Sequence, residues 1–588
     1  MNYRYDNGKW RIESALNHSG SKALLESETA GNFQNVTAVM RNPVRVTFRG
    51  ITPERPATIQ VFDNQNREVD MYDLANYRVS TANVAPRAHI NSSKIGKLDV
   101  RRRLEVFPFP ASIQIGGQRR IQTADAHRQV DTWNFSGTNP DPAPFQNRVY
   151  VNQPIHLGFK NLPGLNPETA TKAYQVDRTL FTQTPAQLVA AESGRLDASE
   201  YVEETVSATY LQAETRLLNN RLTILTGVRF ERTEVAGQGL RNDPNAVFLR
   251  NPDGTFARSA QGIRIRRPEA GTAGSLEELR LIRTERGYSA QRSYDGYYPS
   301  LHLTYTFKEN LLVRLAYAKT YGRPDFSEII PNAVIQEADL SLGEINNPDP
   351  SIVRGNITVR NTGLRPWSAD NFDLSVEYYT PQGGLFSAGI FLKEINDFFG
   401  SAVKLATAAD LQELGLDSRY LGWNVTSQFN SGDARVSGFE FNVRHSLRAL
   451  GAWGRHFTVF ANATQLYLRG DPYASFQNFF PRTANAGFAF NWRRLTVMPR
   501  WNYRGLNKLI AQPAFGPDGF QYIKERHIVD LSISYQLTKR LSLTGAVNNM
   551  FNNHLTQMHY GSLTPAYARK SLNGEYGAAI SIGIRGVY

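Results

Sequence analysis

The chain contains no cysteine, which excludes disulfides, thiolate metal sites and cysteine nucleophiles. It has no apolar run near the ~18 residues that a transmembrane helix requires. Its opening residues, MNYRYDNGKW, lack the basic start and apolar core of a secretory signal peptide. At 588 residues the chain is long enough for several soluble domains or for one very large sheet structure.

Enzyme motifs are absent as well. The sequence shows no G-x-S-x-G, no phosphate loop and no convincing Ser/His/Asp order. Its 10 histidines are scattered without metal-ligand spacing. Adjacent carboxylates such as Glu203 and Glu204 face opposite sides of a strand and cannot act as a pair. We therefore expect a protein that is not an enzyme and that needs no metal or cofactor.

The charge balance is basic, because Lys and Arg exceed Asp and Glu by 66 − 53 = 13. Such a charge favours anionic partners, including nucleic acid and lipopolysaccharide phosphates, without choosing among them. The basic run IRIRR at 263–267 lies among acidic residues in a long predicted loop. A solvated loop is the favoured interpretation of this run, and lipopolysaccharide contact is the second.

Segments of about ten residues alternate apolar and polar side chains with period two, which indicates strands with two unlike faces. In RLTILTGVRFE, one side carries Leu222, Ile224, Thr226, Val228 and Phe230. The other side carries Arg221, Thr223, Gly227, Arg229 and Glu231. The same rule predicts strands at 220–234, 310–319, 525–536 and 540–549. We expect Leu222, Ile224, Val228, Leu541 and Leu543 to point outward.

Connections between the predicted strands alternate between short and long. The short ones lie at 6–8, 52–55, 108–110, 218–220, 308–310, 381–384, 449–454, 492–494 and 538–540. The long ones lie at about 22–42, 65–93, 123–200, 235–296, 320–366, 397–430, 470–480, 506–524 and 550–573. Short turns at one end and long loops at the other are typical of an outer-membrane β-barrel. We therefore predict an all-β, membrane-spanning antiparallel barrel with about nineteen strands present.

The last predicted strand, within YGAAISIGIRGVY, has an apolar face and an aromatic end. Ile580, Ile582 and Ile584 share one side of this strand, and Tyr588 is the last residue. On an outer-membrane strand these isoleucines would face lipid and Tyr588 would lie in the interfacial aromatic girdle. The strand also resembles the assembly signal of outer-membrane barrels, and this resemblance implies that these four residues form that signal.

Several stretches together resemble the barrel domain of TonB-dependent receptors, which are active transporters of Gram-negative outer membranes. They are 298–331, 361–398, 436–444, 547–553 and the terminal strand, and the resemblance extends over essentially all the predicted strands. The resemblance implies a 22-stranded barrel with an N-terminal plug inside it and a short TonB-contacting segment. It also implies uptake of scarce ligands driven by the inner-membrane proton gradient.

The sequence departs from this family at its beginning. The plug, the TonB-contacting segment, the signal and the first strands of the 22-stranded parent do not occur in it. We therefore expect residues 1–588 to form an N-terminally truncated receptor barrel that cannot by itself carry out TonB-dependent uptake. A passive wide pore and a non-functional receptor fragment are the alternatives. An outer-membrane enzyme would need a clustered polar triad, which the sequence does not show.

The resemblance also implies a location and a set of partners. The location is the outer membrane of a Gram-negative bacterium, with many membrane-crossing strands. The partners are outer-membrane lipid and lipopolysaccharide, the β-barrel assembly machinery, the TonB complex through the missing N-terminal region, and an unidentified small molecule. No nucleic acid is expected. The small molecule would be a ferric siderophore or an oligosaccharide-like compound.

Ligand contacts should come from loop tips and the upper lumen, where aromatic rings can stack on sugars or aromatic chelates. The candidates are Trp133, Trp423, Tyr473, Phe476, Phe479 and Phe480. The favoured alternative is that these rings pack the loops on one another or form the upper aromatic girdle. We expect Arg314, Arg500 and Arg504 to line the lumen, and Gly-Arg-Pro at 322–324 to shape a loop.

Two short loop helices are predicted from their capping residues. In TPAQLVAAESGR, Thr184 suits the N-cap, Pro185 the first helical position and Gly194 the stop. The segment TAADLQELG at 407–415 has a similar pattern. We expect both helices to have a structural role only.

Overall fold

Long antiparallel strands dominate the computed structural model of the protein. The structure describes residues 1–588 except 26–29, 43, 53–54, 150–157, 339, 341–343, 345–353, 362–363, 471–478, 517 and 588. Within the described residues, the largest sheet has nineteen strands. The predicted all-β antiparallel fold is thereby confirmed.

The strands are numbered in chain order. The first fourteen are β1 Asn2–Asp6, β2 Trp10–Leu24, β3 Asn35–Met40, β4 Val44–Arg49, β5 Thr58–Asp63, β6 Tyr77–Val84, β7 Arg87–Leu104, β8 Ala111–Arg128, β9 Asp131–Phe135, β10 Phe181–Thr182, β11 Glu200–Leu217, β12 Leu222–Asn242, β13 Arg283–Lys308 and β14 Leu311–Gly322. The rest are β15 Ala333–Glu337, β16 Gly355–Val359, β17 Trp367–Tyr379, β18 Leu385–Leu405, β19 Asn424–Ser446, β20 Phe457–Gly470, β21 Arg482–Trp492, β22 Leu495–Arg504, β23 Asn507–Ala511, β24 Phe520–Ile523, β25 Arg526–Gln536, β26 Leu541–Asn548, β27 Leu555–Tyr560, β28 Lys570–Gly574 and β29 Ala579–Gly586.

Helices are short and lie in the long loops. In the described parts of the chain they are α1 Pro167–Val176, α2 Pro185–Asp197, α3 Leu276–Ile282, α4 Phe326–Ile329 and α5 Ala408–Leu414. Over the described ranges, no helix is both long and apolar enough to cross a membrane.

Seventeen strands form a continuous antiparallel series, which we call the wall. Its order is β1, β2, β7, β8, β11, β12, β13, β14, β17, β18, β19, β20, β21, β22, β25, β26 and β29. Its connections alternate between short turns, such as 218–221 and 493–494, and long loops, such as 129–199 and 243–282. The wall therefore has a turn end and a loop end, as predicted. No ladder joins β1 to β29 among the described residues.

Each wall strand presents an apolar face and a polar face. Val228 is aligned with Leu211 and Pro299 on the neighbouring strands, and Val228 and Leu211 are exposed. The next residue, Arg229, points to the opposite side and donates to Glu231 at 2.8 Å. We call the apolar side outward and the polar side inward, because lipid tolerates only apolar side chains.

The residues predicted to point outward do so. Leu222 and Ile224 share a face with Val228, since each is separated from it by an even number of residues on β12. Leu543 is aligned with Ile584 and is exposed. Ile580, Ile582 and Ile584 of β29 have 73%, 80% and 70% exposed surface. Tyr588 lies outside the described residues.

Aromatic side chains collect at the turn end of the wall. The Arg102 guanidinium lies 5.0 Å from the Trp10 ring, and the rings of Phe107 and Phe109 stack at 5.2 Å. Rings at the edge of an outward apolar band are typical of the membrane interface. The turn end therefore marks one boundary of the band that faces lipid.

The nineteen strands of the large sheet are not the nineteen that the sequence predicts. The hairpin around 52–55 was expected in the wall, but β4 and β5 form a separate two-stranded sheet. Instead, β15 and β16 join the large sheet at the loop end. With six residues each, β4 and β5 are shorter than the ~9–11 residues that a tilted strand needs to cross a bilayer.

The long loops contain ordered structure of their own. One four-stranded sheet consists of β3, β6, β9 and β10, and a second consists of β23, β24, β27 and β28. Several wall strands also continue beyond the predicted strand ends, so that β13 begins at Arg283 and β19 at Asn424. The loops at 235–296 and 397–430 are therefore shorter than predicted.

Both predicted loop helices form. Thr184 and Gln187 make a reciprocal capping box at the start of α2, and Gly415 ends α5 in a left-handed conformation. The predicted stop at Gly194 is wrong, because α2 continues to Asp197. Leu196 of the added turn is buried against Leu240 and Leu279, which favours continuing the helix.

Candidate functional site

The chain leaving β14 is anchored to the inward face of the wall by an ion cluster. Arg323 donates to Glu204 at 2.9 Å and, through its other terminal nitrogen, to Glu231. Arg120 donates to Glu204 at 3.0 Å, and the Tyr321 hydroxyl donates to Glu231. Glu204 and Glu231 are both buried. Two buried carboxylates thus depend on arginine donors, which is the condition under which buried charge is tolerated.

Beyond this anchor, the segment packs over the inward faces of β11 and β12. Ile329 and Ile330 form a buried cluster with Val202, Val235 and Leu364. Next, β15 pairs in parallel with the end of β12, and β16 pairs in parallel with the start of β19. The β15–β16 hairpin therefore bridges two wall strands that are not neighbours, and it holds the loop end together.

A hydrophobic core fills the space under this hairpin. Its members are Tyr288, Ala333, Ile335, Ile357, Val359, Ala406, Leu411, Leu414, Tyr420, Trp423 and Val425. The rings of Tyr420 and Trp423 meet edge to face at 4.9 Å. Trp423 is 7% exposed, so most of its side chain packs in this core. Loop packing is the alternative that the sequence analysis favoured for this residue. Its remaining surface lines a cavity.

This cavity, which we call the loop cleft, has a volume of about 1210 Å³. Three loops form it, and each connects two wall strands at the loop end: 243–282, 323–366 and 406–423. Its aromatic lining consists of Phe256, Tyr420 and Trp423. Its charged lining consists of Arg250, Asp253, Arg258, Glu337, Glu344, Arg354 and Arg419.

Arginine–aromatic contacts organise the cleft. The Arg250 guanidinium lies 4.2 Å from the Phe256 ring and forms a salt bridge with Glu337 at 2.5 Å. Arg264 covers the same ring at 3.9 Å. Because Arg250 joins the first loop to β15 across the cleft, it fixes the distance between two walls of the cavity.

The opposite wall carries a second arginine on an aromatic ring. Arg419 donates to the Tyr420 hydroxyl at 2.5 Å, and its guanidinium lies 4.7 Å from that ring. Burial lowers the pKa of Arg419, but the Tyr420 hydrogen bond and the charges of Asp417 and Asp243 raise it overall. The cleft thus keeps a fixed positive charge beside the rings of Tyr420 and Trp423.

Chemically, the loop cleft can bind and orient a ligand. Arginines recognise carboxylate, phosphate and other planar anions, and aromatic rings offer flat apolar surface. No group of three or more His, Asp or Glu among the described residues could hold a metal ion.

The other predicted site residues that the structure describes lie outside the loop cleft. Trp133 packs in the core of the β3, β6, β9 and β10 sheet, 5.6 Å from the Phe33 ring. The Phe480 ring lies 5.6 Å from the Arg504 guanidinium, and Phe479 is exposed. Tyr473 and Phe476 lie outside the described residues. Of the three described rings, Trp133, Phe479 and Phe480, none lines the loop cleft.

The lumen arginines have the predicted orientation. Arg314 faces inward and donates to Glu377 at 2.8 Å. Arg500 is aligned with Asp530, and Arg504 lies on the same side of β22 as Arg500. The basic run 263–267 mostly satisfies its charge inside its own loop, since Arg266 pairs with Glu278 at 2.8 Å.

Sequence reasoning missed Arg250, Phe256, Arg419 and Tyr420. The first two lie in a loop that folds back on itself through the isolated bridges Phe248–Arg266, Arg250–Phe256 and Arg258–Arg264. Arginine and phenylalanine recur there at close spacing, and this was the available signal. This spacing alone did not reveal a binding site, because the other two walls of the loop cleft come from loops about 80 to 170 residues away in sequence.

Comparison with known proteins supports this architecture. A family model described as TonB dependent receptor-like, beta-barrel, matches residues 15–550. The FpvAI–pyocin S2 complex is similar with 11% identity and a TM-score of 0.50, and the match covers 100% of this chain and 56% of that one. The ferric-catecholate import receptor Fiu from K12 E. coli has 13% identity and a TM-score of 0.49, over 99% of this chain and 65% of that one. No curated protein matches the chain.

This chain therefore spans about 56% and 65% of the length of those two structures. At such low identity the likeness concerns the fold alone. The family match, in contrast, extends over most of the chain and includes both the anchor and the loop cleft. The chain belongs to the TonB-dependent receptor β-barrel family, whose members are receptors and transporters of the outer membrane rather than enzymes.

Proposed function

We propose that this chain forms the wall and the ligand-gathering loops of a receptor that takes up a scarce nutrient with energy from TonB. Its ligand would be a ferric siderophore or an oligosaccharide-like compound. Family membership supports the transport role. The size and the lining of the loop cleft support the proposed class of ligand.

The cleft suits such ligands in size and in chemistry. Small-molecule sites usually enclose about 300–1,000 Å³, so a cavity of about 1210 Å³ accepts a large chelate or several sugar rings. Phe256, Tyr420 and Trp423 offer surfaces for catechol or sugar rings. Arg250 and Arg419 supply positive charge for an anionic chelate, which favours the siderophore over the neutral sugar.

The proposal also names partners. TonB would deliver energy, the β-barrel assembly machinery would insert the wall, and outer-membrane lipid with lipopolysaccharide would surround it. The outward isoleucines of β29 support lipid contact, because a row of exposed isoleucines is unfavourable in water.

Uptake by the full-length gene product in a receptor-deleted strain tests the proposal. We expect saturable uptake of a ferric catecholate chelate or of a linear glucose oligomer, and an uncoupler should abolish it. Uptake that rises linearly with concentration and ignores the uncoupler would instead establish a passive pore. Such a pore would contradict the proposal.

Variants of residues in the loop cleft test whether this cleft is the ligand site in the uptake experiment. Arg250→Gln removes the charge that spans the cleft and should raise the concentration for half-maximal uptake about tenfold. Arg448→Gln is the matched control, since Arg448 is exposed in the turn between β19 and β20 at the opposite end. Equal effects of the two variants would exclude the loop cleft as the ligand site.

A further inference from the structure

Three neighbouring wall strands expose a group of basic side chains on the outward face. They are His18 and Lys22 on β2, Lys94 on β7 and Arg119 on β8, and we call them the rim cluster. All four side chains are exposed. Because the outward face on their turn-end side carries the exposed apolar side chains Leu16, Leu98 and Ile115, their position calls for an explanation.

Strand register places the rim cluster on the outward face. His18 is the direct partner of Lys94, and Lys94 is the direct partner of Ile121, two residues from Arg119. Arg119 has the same parity along β8 as Ile115, which is 58% exposed. The next residue, Arg120, points inward and donates to Glu204 at 3.0 Å. Side chains alternate along a strand, so Arg119 must point outward.

The cluster lies at the upper boundary of the apolar band. Leu98 and Leu16 are exposed directly on its turn-end side. On β7, Lys94 is eight residues from Arg102, which contacts Trp10 in the aromatic girdle at the turn end. Eight residues span about 26 Å along a strand, and a tilt near 40° reduces that to about 20 Å. An outward apolar band is ~25 Å tall, so Lys94 lies within about 5 Å of the level where lipid headgroups begin.

Described acids are sparse around this charge on the outward face, where Glu203 of β11 is aligned with Thr123 and accepts a hydrogen bond from the Tyr201 hydroxyl. Within the part of the chain that the structure describes, Lys22, Lys94 and Arg119 have no salt bridge. The outward side of β2 and β7 carries no Asp or Glu. On β8 the outward acid is Asp125, which is paired with Arg286 and His127 farther along the strand.

Another sector of the same face is organised differently. Five successive strands align Lys319, Asp370, Glu394, Arg435 and Arg469 in register. There, the two acids lie between bases on both sides, and Arg435 pairs with Glu394 at 2.5 Å. The positive charge of the rim is therefore concentrated on β2, β7 and β8.

We propose that the rim cluster is a binding site for the phosphorylated headgroup of an outer-leaflet glycolipid, namely the lipid A part of lipopolysaccharide. Its phosphates would meet Lys94, Arg119 and Lys22, and its acyl chains would lie along Leu16, Leu98 and Ile115. Basic side chains at a membrane boundary bind anionic lipid headgroups by charge. The hydroxyls of Ser92 and Thr123, 2.8 Å apart just beyond Lys94, add donors for the sugar or the phosphate.

The proposed lipid site requires that the protein lies in the outer membrane, as the proposed function assumes. It does not require that the protein takes up a nutrient. A receptor could fail to transport either proposed ligand class and still bind this lipid. Lipid binding and uptake are therefore measured separately, so that failure of one proposal can be told from failure of the other.

The test is lipid binding to the full chain in nanodiscs, followed by native mass spectrometry. The probes are bisphosphorylated lipid A, dephosphorylated lipid A and inorganic phosphate. We expect bisphosphorylated lipid A to bind, its dephosphorylated form to bind at least tenfold more weakly, and millimolar inorganic phosphate not to compete. Equal binding of the two lipids, or competition by free phosphate, would overturn the lipid site.

Matched variants locate the binding. The double variant Lys94→Gln with Arg119→Gln should weaken binding of bisphosphorylated lipid A at least tenfold. Lys319→Gln with Arg469→Gln removes the same charge from the mixed sector and should leave binding within twofold. Both variants should keep the heat-modifiable gel migration of a folded barrel. Equal loss in the two double variants would overturn the assignment to the rim cluster.

Discussion

At the scale of single residues, Arg323 shows what sequence alone could not reveal. Gly-Arg-Pro was expected only to shape a loop, and the chain does turn there. The arginine also holds two buried carboxylates, Glu204 and Glu231, which are 119 and 92 residues away in sequence. A single sequence shows neither the register of β11 nor that of β12, so this contact was not predictable.

Replacing this arginine should release the segment after β14. Arg323→Met leaves Glu204 and Glu231 with fewer buried donors, and losing one partner of a buried ion pair costs about 3–5 kcal/mol. We expect faster proteolysis within 323–366 and a lower thermal midpoint. Arg365→Met is the control, because Arg365 is exposed and its nearest carboxylate, Asp397, is 3.7 Å away. Unchanged proteolysis in Arg323→Met would contradict the anchor.

A carboxylate in the loop helix α5 predicts a pH dependence. Burial raises the pKa of Asp410, but hydrogen bonds from Lys404 and Thr407 lower it below its ordinary value overall. A lowered pKa in the folded state stabilises the protein above the unfolded pKa of about 3.9, and this stabilisation disappears as pH falls through the folded pKa.

The measurement compares Asp410→Asn with wild type at two pH values. At pH 7 the variant should have the lower thermal midpoint, and the difference should be smaller at pH 3, because the unfolded-state carboxylate, with a pKa of about 3.9, is largely protonated there. A difference of equal size at both pH values would show that the Asp410 charge does not stabilise the loop.

At the scale of elements, hydrophobic alternation predicted where strands lie better than where they end. The strands 310–319, 525–536 and 540–549 agree with β14, β25 and β26 within a few residues. β13, in contrast, begins at Arg283, well before its apolar part. Beyond the bilayer both faces of a strand meet water or protein, so the alternation that lipid imposes no longer marks the strand.

The same limit explains the hairpin of β4 and β5. Its alternating residues resemble a wall strand, and a short turn joins its two halves. Six residues per strand are too few to cross a bilayer, and this length was the physical reason to place the hairpin in a loop. Alternation alone therefore overestimates the wall.

The docking of the β15–β16 hairpin makes a prediction at this scale. A Cβ added at Gly239 would overlap the carbonyl oxygen of Pro331. Gly239→Ala should therefore displace the segment between α4 and β15 and destabilise the loop end by about 1–3 kcal/mol. Gly117→Ala is the control, since its nearest contact would be ordinary at 3.7 Å. Equal thermal midpoints of the two variants would contradict close packing at Gly239.

At the scale of the whole molecule, the sequence predicted the class of protein but not its binding surface. Turn alternation and period-two strands were sufficient for an outer-membrane barrel, and the family match agrees. The loop cleft could not be predicted, because it needs three loops to meet, and their contacts depend on tertiary packing. Among the predicted site residues that the structure describes, Trp423 alone lines it.

Lipid exposure of the last strand can be tested by one charge. Ile582→Lys puts a cation on the outward face of β29, which should destabilise the barrel in bilayers by about 2–4 kcal/mol if Ile582 lies near the midplane. Ser581→Lys, on the opposite face, should cost less than half as much. Reversible denaturant unfolding in vesicles measures both. Equal costs would contradict the assigned faces.

The most direct test of the account is a cysteine scan of β12 in a lipid bilayer, and the native chain offers no competing thiol. Spin labels at 222–229 would be read for collision with oxygen, which concentrates in lipid, and with a water-soluble nickel chelate. The account predicts oxygen maxima at Leu222, Ile224, Thr226 and Val228, and minima at Thr223, Leu225, Gly227 and Arg229. Oxygen contact without period two, or with the opposite phase, would contradict a wall whose apolar face meets lipid.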